Sequence, residues 1–394
     1  MAWELKKVED QRRALIEAYL SGDVTMTELC RSFGVSRKTA YKWYNRYLSG
    51  NGEEALKDLS RAPHQPNRLY ADEIIDRAID LKLKKRCWGP RKVISTLNRD
   101  YPDEQWPSAT RFYEILREHH LVTSRKLRSR VPATHPLGDV NKSNDVWMAD
   151  FKGWFLLQDN TKCEPLTITD GHSRYLIGCH HLPRKKVDYV WPIFREAFLE
   201  HGLPNRIRTD NGPPFGCIGV GRLTRLSVNL IKAGVVPEWI NPGHPEENGR
   251  HERFHLTLKQ AVASPAAQNL KEQIARMQAF QEEYNFERPH EALGMDRPAD
   301  HYCCSSRKWD GVLRQPEYDT RLVEVRKVCQ SGCIWLKQKE YFLGQALEGE
   351  YVSLKEGELG DFDLHYGPVY LGKLKVDRGF ERPKIQPKRI VRRG

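Results

Sequence analysis

Residues 205–215 read Asn205-Arg-Ile-Arg-Thr-Asp210-Asn-Gly-Pro-Pro-Phe215. An apolar-punctuated strand signal ends at Asp210, and Asn-Gly-Pro-Pro then stops the strand: Asn-Gly favours a turn, and prolines cannot donate to a ladder. The spacing therefore predicts a strand that ends at Asp210, with its carboxylate at the strand's end facing a cleft. That is a metal-binding posture. Two other stretches offer partners. Val146-Trp-Met-Ala-Asp150-Phe151 is an apolar run with one carboxylate inside it, and Glu247-Asn-Gly-Arg-His-Glu252-Arg-Phe254 opens a helical pattern.

On these three stretches the chain resembles the DDE transposases and retroviral integrases. Their ribonuclease H-like core carries a strand Asp, a second strand-end Asp followed by Asn-Gly, and a helical Glu a few residues after a Gly. The resemblance implies that Asp150, Asp210 and Glu252 are catalytic and hold Mg²⁺, for which Mn²⁺ can substitute. The chemistry fits those residue types. A carboxylate in so apolar a strand is costly to bury as an ion unless a cation compensates it, and Mg²⁺ prefers hard oxygen ligands. Three carboxylates from separate elements can hold two such ions about 3.5–4 Å apart, as in-line phosphodiester chemistry requires.

The third ligand has two candidates. The family's Glu stands three residues after a Gly, which Gly249-Arg-His-Glu252 reproduces, so the resemblance favours Glu252. Its distance from Asp210 (252 − 210 = 42) exceeds the family's commonest interval and requires an insertion, placed at Gly216–Gly221. Glu247 (247 − 210 = 37) needs none. Lys259 lies seven residues after Glu252, two helical turns along one face, where it can meet a DNA phosphate. Taken singly, Asp150 reads equally as a strand-end hydrogen-bonder, Asp210 as a turn starter and Glu252 as a surface charge. Asp170, in Asp170-Gly-His-Ser-Arg, reads as a structural turn residue.

Composition agrees with a nucleic-acid partner. The 64 Lys and Arg against 52 Asp and Glu leave a formal charge of +12 and a pI near 9.2, which favours a polyanion. No run of about 18 apolar residues and no apolar signal core is present, so a membrane protein is not expected and a bacterial cytoplasmic, nucleoid-associated location is. Nine cysteines scattered over 394 residues lack framework spacing and read as reduced thiols. Cys329 and Cys333 read as ordinary thiols, two further metal ligands being missing. His172, His180 and His181 show no zinc spacing, and the His-His-Cys-Cys module of retroviral integrases is absent.

Upstream, Thr27 to Tyr44 places a helix, a turn at Gly34, and Ser36 as N-cap of a second helix bearing Arg37, Lys38, Tyr41 and Lys42. Cap, turn and basic face together predict a helix-turn-helix reading a major groove through Ser36, Arg37, Lys38, Tyr41 and Lys42; a plain helical hairpin is the alternative. Residues 71–122 predict further helices, broken at Gly89-Pro90, and resemble the second helix-turn-helix module of insertion-sequence transposases. Arg125, Lys126 and Arg128 lie in a basic connector suited to a phosphate backbone, although charge runs are usually solvated linkers.

Residues 146–157 and 165–182 predict three strands, with a hairpin turn at Asp159-Asn160, followed by helix, strand, helix, strand, helix. Tyr284 to Gly294 resembles the segment that closes such cores, with Arg288 and His290 packing or touching DNA. Short strands beyond Tyr318 suggest a small barrel.

The expected organisation is multidomain. It has all-α helix-turn-helix modules at 1–60 and 68–130, an α/β ribonuclease H-like integrase core with a mixed sheet at 140–302, a small β-barrel at 315–380 and a basic tail at 381–394. The expected function is that of a DDE transposase of a bacterial insertion sequence. Such an enzyme binds terminal inverted repeats and target DNA as double-stranded DNA, cuts and joins it, and forms a homo-oligomer, at least a dimer, when two ends are synapsed. A catalytically silent DNA-binding derivative and a nuclease that only hydrolyses are the competing readings.

Overall fold

The computed structural model describes residues 8–50, 52–58, 70–122, 140–241, 249–357, 360–375 and 378–381. The chain divides into two compact units, Met1–Leu69 and Tyr70–Gly394. Arg125, Lys126, Arg128, Glu247 and the tail beyond Glu381 lie outside the described residues.

The first unit packs α1 (Val8–Leu20), α2 (Met26–Ser32) and α3 (Arg37–Ser49) around Leu15, Ile16, Met26, Cys30, Ala40, Trp43 and Leu56. Each start is written in the sequence. Thr25 and Glu28 form a reciprocal capping box at α2, and Ser36 accepts from the Thr39 amide at 3.1 Å to cap α3, satisfying donors that have no helical partner. Gly34, at φ +66°, supplies the left-handed turn between them. Ala40 and Trp43 face inward, leaving Arg37, Lys38, Tyr41 and Lys42 exposed.

The second unit opens with α4 (Asp72–Lys84), α5 (Pro90–Asp100) and α6 (Ala109–Glu118), closed over Ala78, Trp88, Val93, Leu97, Trp106 and Phe112. Gly89-Pro90 starts α5 rather than ending one, with Pro90 in the first turn, where a missing N–H costs nothing. This module is tied to the core behind it. Trp88 Nε1 donates to Glu283 at 3.0 Å, Lys85 pairs with Glu287 at 2.6 Å, and Lys92 Nζ donates to the Pro289 carbonyl.

The core is a five-stranded mixed sheet ordered β5-β4-β1-β6-β7. Its strands are β1 (Val146–Phe151), β4 (Pro165–Asp170), β5 (Leu176–His181), β6 (Arg206–Thr209) and β7 (Val236–Trp239). The first three are antiparallel neighbours, and β6 and β7 run parallel to β1. The apolar run 146–157 is not one strand. It stops at Phe151, turns at Gly153 (φ +80°), and resumes as β2 (Phe155–Leu156), which pairs with β3 (Lys162–Cys163) in a separate hairpin.

Each sheet face has its own helices. On one, α7 (Val187–His201) and α8 (Arg225–Lys232) bury Val190, Phe194, Phe198 and Leu226 against Trp147, Leu166 and Ile207. On the other, α9 (Gly249–Val262) and α10 (Leu270–Glu282) bury Phe254, Leu258, Met277 and Phe280 against Leu176 and Cys179. A short helix, α11 (Pro298–His301), ends this region. Asp170 behaves as a structural residue: it is buried and accepts from the Asn144 amide and from the amide and hydroxyl of Ser173.

The C-terminal strands do not close into the expected barrel. β8 (Glu324–Lys327), β11 (Tyr351–Glu356), β12 (Phe362–Tyr366), β13 (Val369–Lys375) and β14 (Gly379–Glu381) form an open antiparallel sheet ordered β14-β13-β12-β11-β8. The strands β9 (Cys333–Leu336) and β10 (Lys339–Phe342) pair only with each other. The physical reason lies in what covers the apolar face. Val220, Leu223, Val228 and Ile231, from α8 and the segment before it, pack against Val352, Leu364, Tyr366 and Leu371. A face buried by a helix gains the desolvation that closure would otherwise provide.

Candidate active site

The two aspartates meet through strand register. Val146, Trp147 and Met148 of β1 pair with Arg206, Ile207 and Arg208 of β6, a constant offset of 60 residues. Continued two residues, that offset brings Asp210, one residue past β6, beside Asp150. Neighbouring strands lie about 4.8 Å apart, and side chains at one register share a face. Asp150 is paired on its other side with Thr167 of β4. The shared face is the one covered by α9.

Thr167 organises that face. It is fully buried; its hydroxyl donates to the Asp150 carbonyl at 3.1 Å, and the Nε2 atoms of His251 and His255 lie 2.7 and 2.9 Å from it. A hydroxyl has one proton and two lone pairs, so with its proton on Asp150 it accepts from both imidazoles. Both rings are then neutral. Burial pushes His251 well below the usual range, and burial with Lys152 nearby pushes His255 down to about 3. His255 Nδ1 stands 4.0 Å from Asp150 Oδ2. The pair His251 and His255 recurs at helical spacing, which the sequence displays, but only the fold puts both rings on Thr167.

Asp210 carries an electrostatic signal of its own. Desolvation raises its pKa, against opposing contributions from the Gly212 amide and Lys185. Its Oδ1 is buried and has no hydrogen-bond partner. A buried carboxylate oxygen without a donor is a position that a hard cation satisfies, so the aspartate pair fits Mg²⁺. The loop after Asp210 is held elsewhere. Asn211 donates to the Ile240 carbonyl and accepts from Arg222, while Trp239 Nε1 donates to the Phe215 carbonyl.

Glu252 is exposed in the first turn of α9 and precedes His255 by three residues, so the two lie along one side of the helix. Lys259, also exposed, continues that side. Lys259 is close enough to Lys152 to lower its pKa, after desolvation, and Lys185 sits over the Phe151 ring at 4.8 Å. Lys185 thus lies near Asp210, and Lys152 near His255 and Lys259; of these three lysines the sequence pattern singled out only Lys259. Arg288 and His290 prove to be packing residues: Arg288 is buried, and His290 Nε2 lies 3.0 Å from Tyr284 Oη.

Comparison with known families places these features. Residues 233–298, which contain α9, match the family described as Integrase core domain. Residues 11–64 match a Helix-turn-helix domain and residues 39–116 a Homeodomain-like domain. The chain is 26% identical over 260 residues to an uncharacterized 39.2 kDa protein of insertion element IS476 from Xanthomonas euvesicatoria, covering 64% of this chain and 69% of that one. It is 24% identical over 289 residues to the transposase for transposon Tn552 from Staphylococcus aureus, covering 65% of this chain and 56% of that protein. The chain is thus similar to insertion-element proteins and to a transposase, and part of it matches the integrase core domain. Among solved structures, the HTLV-2 integrase catalytic core domain in complex with magnesium aligns with 41% of this chain and 98% of its own chain, at 17% identity and a TM-score of 0.33. No helix among the described residues is long and apolar enough to cross a membrane.

Proposed function

We propose that this chain is a transposase that binds the terminal inverted repeats of its insertion sequence and cuts and joins DNA by metal-dependent phosphodiester chemistry. The observation that carries the reading is Asp210: a carboxylate beside Asp150 by strand register, desolvated, with one oxygen lacking any donor. Asp150, Asp210 and Glu252 would hold Mg²⁺, which would supply Lewis-acid chemistry for phosphodiester attack. Thr167, His251 and His255 fix the end of β1 so that Asp150 meets its ligand without reorganisation. Lys152, Lys185 and Lys259 offset phosphate charge at the cleft edge.

Arg37, Lys38, Tyr41 and Lys42 form the exposed face that enters a major groove, with Ser36 fixing the start of the recognition helix. Arg125, Lys126 and Arg128 extend the contact along the backbone. Synapsis of two ends calls for a homo-oligomer, in which the helix-turn-helix modules at 1–60 and 68–130 precede the catalytic core at 140–302.

The test is Mg²⁺-dependent strand transfer of a labelled transposon-end duplex by the native chain and by Asp210→Asn, Glu252→Gln and Glu247→Gln. The reading requires loss of joining in the first two with DNA binding retained and Glu247→Gln active. Activity that survives in Glu252→Gln but not in Glu247→Gln moves the third ligand. No native activity on a verified end favours a silent DNA-binding protein, and cleavage without joining favours a nuclease.

A further inference from the structure

A second cluster of ligand-type side chains lies far along the chain from the aspartates, on the one hairpin that stands outside the C-terminal sheet. Between β8 and β9 the chain folds back on itself. Cys329 N donates to the Cys333 carbonyl at 2.8 Å, and Gly332 N donates to the Cys329 carbonyl at 2.9 Å. Gly332 is at φ +79°, and a Cβ there would come within 2.8 Å of the Gly344 backbone, so the turn admits only glycine. The fold-back puts both thiols on one side. Across the hairpin Glu340 pairs with Trp335 and Phe342 with Cys333. Strand alternation then sets Glu340 on the same face as Cys333, diagonally opposite it. The two Sγ atoms and a Glu340 oxygen all lie within 4.8 Å of one another.

We propose that Cys329, Cys333 and Glu340 bind a thiophilic divalent cation of the Zn²⁺ type, which staples the β8–β9 turn to the β9–β10 hairpin. Sequence reading set the cysteine pair aside for want of further ligands. The hairpin supplies one, seven residues beyond Cys333. Ser331 already links the set: its Oγ lies 2.9 Å from Cys329 Sγ and donates to Glu340 Oε1 at 3.1 Å. Tetrahedral zinc with Zn–S near 2.3 Å needs ligand atoms about 3.8 Å apart. The cluster therefore contracts by roughly 1 Å, within reach of a χ rotation of the exposed Glu340, and a fourth position remains for water.

The ligand types suit this chemistry. Sulfur ligands select Zn²⁺ over the Mg²⁺ suited to the aspartate site. The hairpin shares no ladder with the five-stranded sheet and is held on it by Ile334, Leu336 and Tyr341, so a cross-link at its base adds to that packing.

The experiment titrates Co²⁺, then Zn²⁺, into the reduced, metal-free full chain and follows the near-ultraviolet thiolate-to-Co²⁺ charge-transfer absorption. A single equivalent is expected to produce the band, Zn²⁺ to abolish it and Mg²⁺ to leave it unchanged. Asp210→Asn keeps the band, which separates this site from the aspartates. Cys329→Ser, at a partly exposed position that tolerates the change, loses the band with unchanged circular dichroism. Glu340→Gln weakens binding by at least the ~10-fold typical of losing a supporting ligand. Absence of a thiolate band in the reduced native chain overturns the proposal, as does a band that persists in the Cys329→Ser, Cys333→Ser double variant.

Discussion

Replacing Asp210 with Asn separates what this residue does for stability from what it does for catalysis. The carboxylate is desolvated and stands beside Asp150, with one oxygen lacking a donor. A buried carboxylate oxygen without a donor costs about 1–3 kcal/mol, part of which the nearby Lys185 offsets and the neutral, isosteric Asn relieves. At no more than about 2–4 °C per kcal/mol for a unit of this size, Asp210→Asn should melt above the native chain in EDTA, by up to roughly 12 °C. Mg²⁺ should narrow that gap. At ten times its dissociation constant a ligand adds about 1.4 kcal/mol to the native protein, and the variant should gain little. Differential scanning calorimetry of both proteins, in EDTA and in Mg²⁺, reads both effects on the transition of the second unit. A variant that melts below the native protein in EDTA, or that responds equally to Mg²⁺, would refute the assignment of Asp210 as a strained metal ligand.

Other expectations follow from the same contacts. Arg37→Ala and Lys38→Ala should each weaken end binding and reduce the slope of log K against log salt by about 1 in a fluorescence-anisotropy titration, without lowering Tm. Ser36→Ala removes the cap on the Thr39 amide and should cost about 1 kcal/mol in urea unfolding of the first unit. Thr167→Val keeps the shape of a fully buried side chain but strands two imidazoles and the Asp150 carbonyl; it should cost about 1–3 kcal/mol and slow strand transfer more than it weakens DNA binding. Burial lowers the Lys92 amine to about 8. Folding therefore disfavours its charged form, so its contribution to stability rises with pH between about 8 and the ordinary lysine value near 10.5. Lys92→Met should accordingly lose ground against the native chain over that window in pH-dependent thermal melts, and a pH-independent difference would contradict the assignment.

Local signals carried a large part of this fold. The Ser36 cap, the Gly34 turn and the stop after Asp210 each depend on the backbone demands of a few neighbouring residues, which is why they can be read from a single chain. The same holds for the alternation of strands and helices through the core. Where a signal was ambiguous, the reason was also local. Residues 146–157 are apolar apart from Asp150, Lys152 and Gly153, so the break is marked only by Lys152-Gly153 between two apolar runs, and Gly89-Pro90 reads as a helix breaker although it begins α5.

Other features depended on long-range packing. Short strands beyond Tyr318 are compatible with a barrel or an open sheet. The choice was made by Val228 and Ile231 of α8, more than a hundred residues upstream, which cover the face that closure would have buried. Sequence alone determined which carboxylates were available and on which kinds of element they stand. Tertiary structure decided that a constant strand offset sets Asp210 beside Asp150, that Thr167 gathers His251 and His255 at that point, and that Glu340 joins two cysteines across a hairpin. Register and face are properties of paired strands, so no stretch of chain contains them by itself.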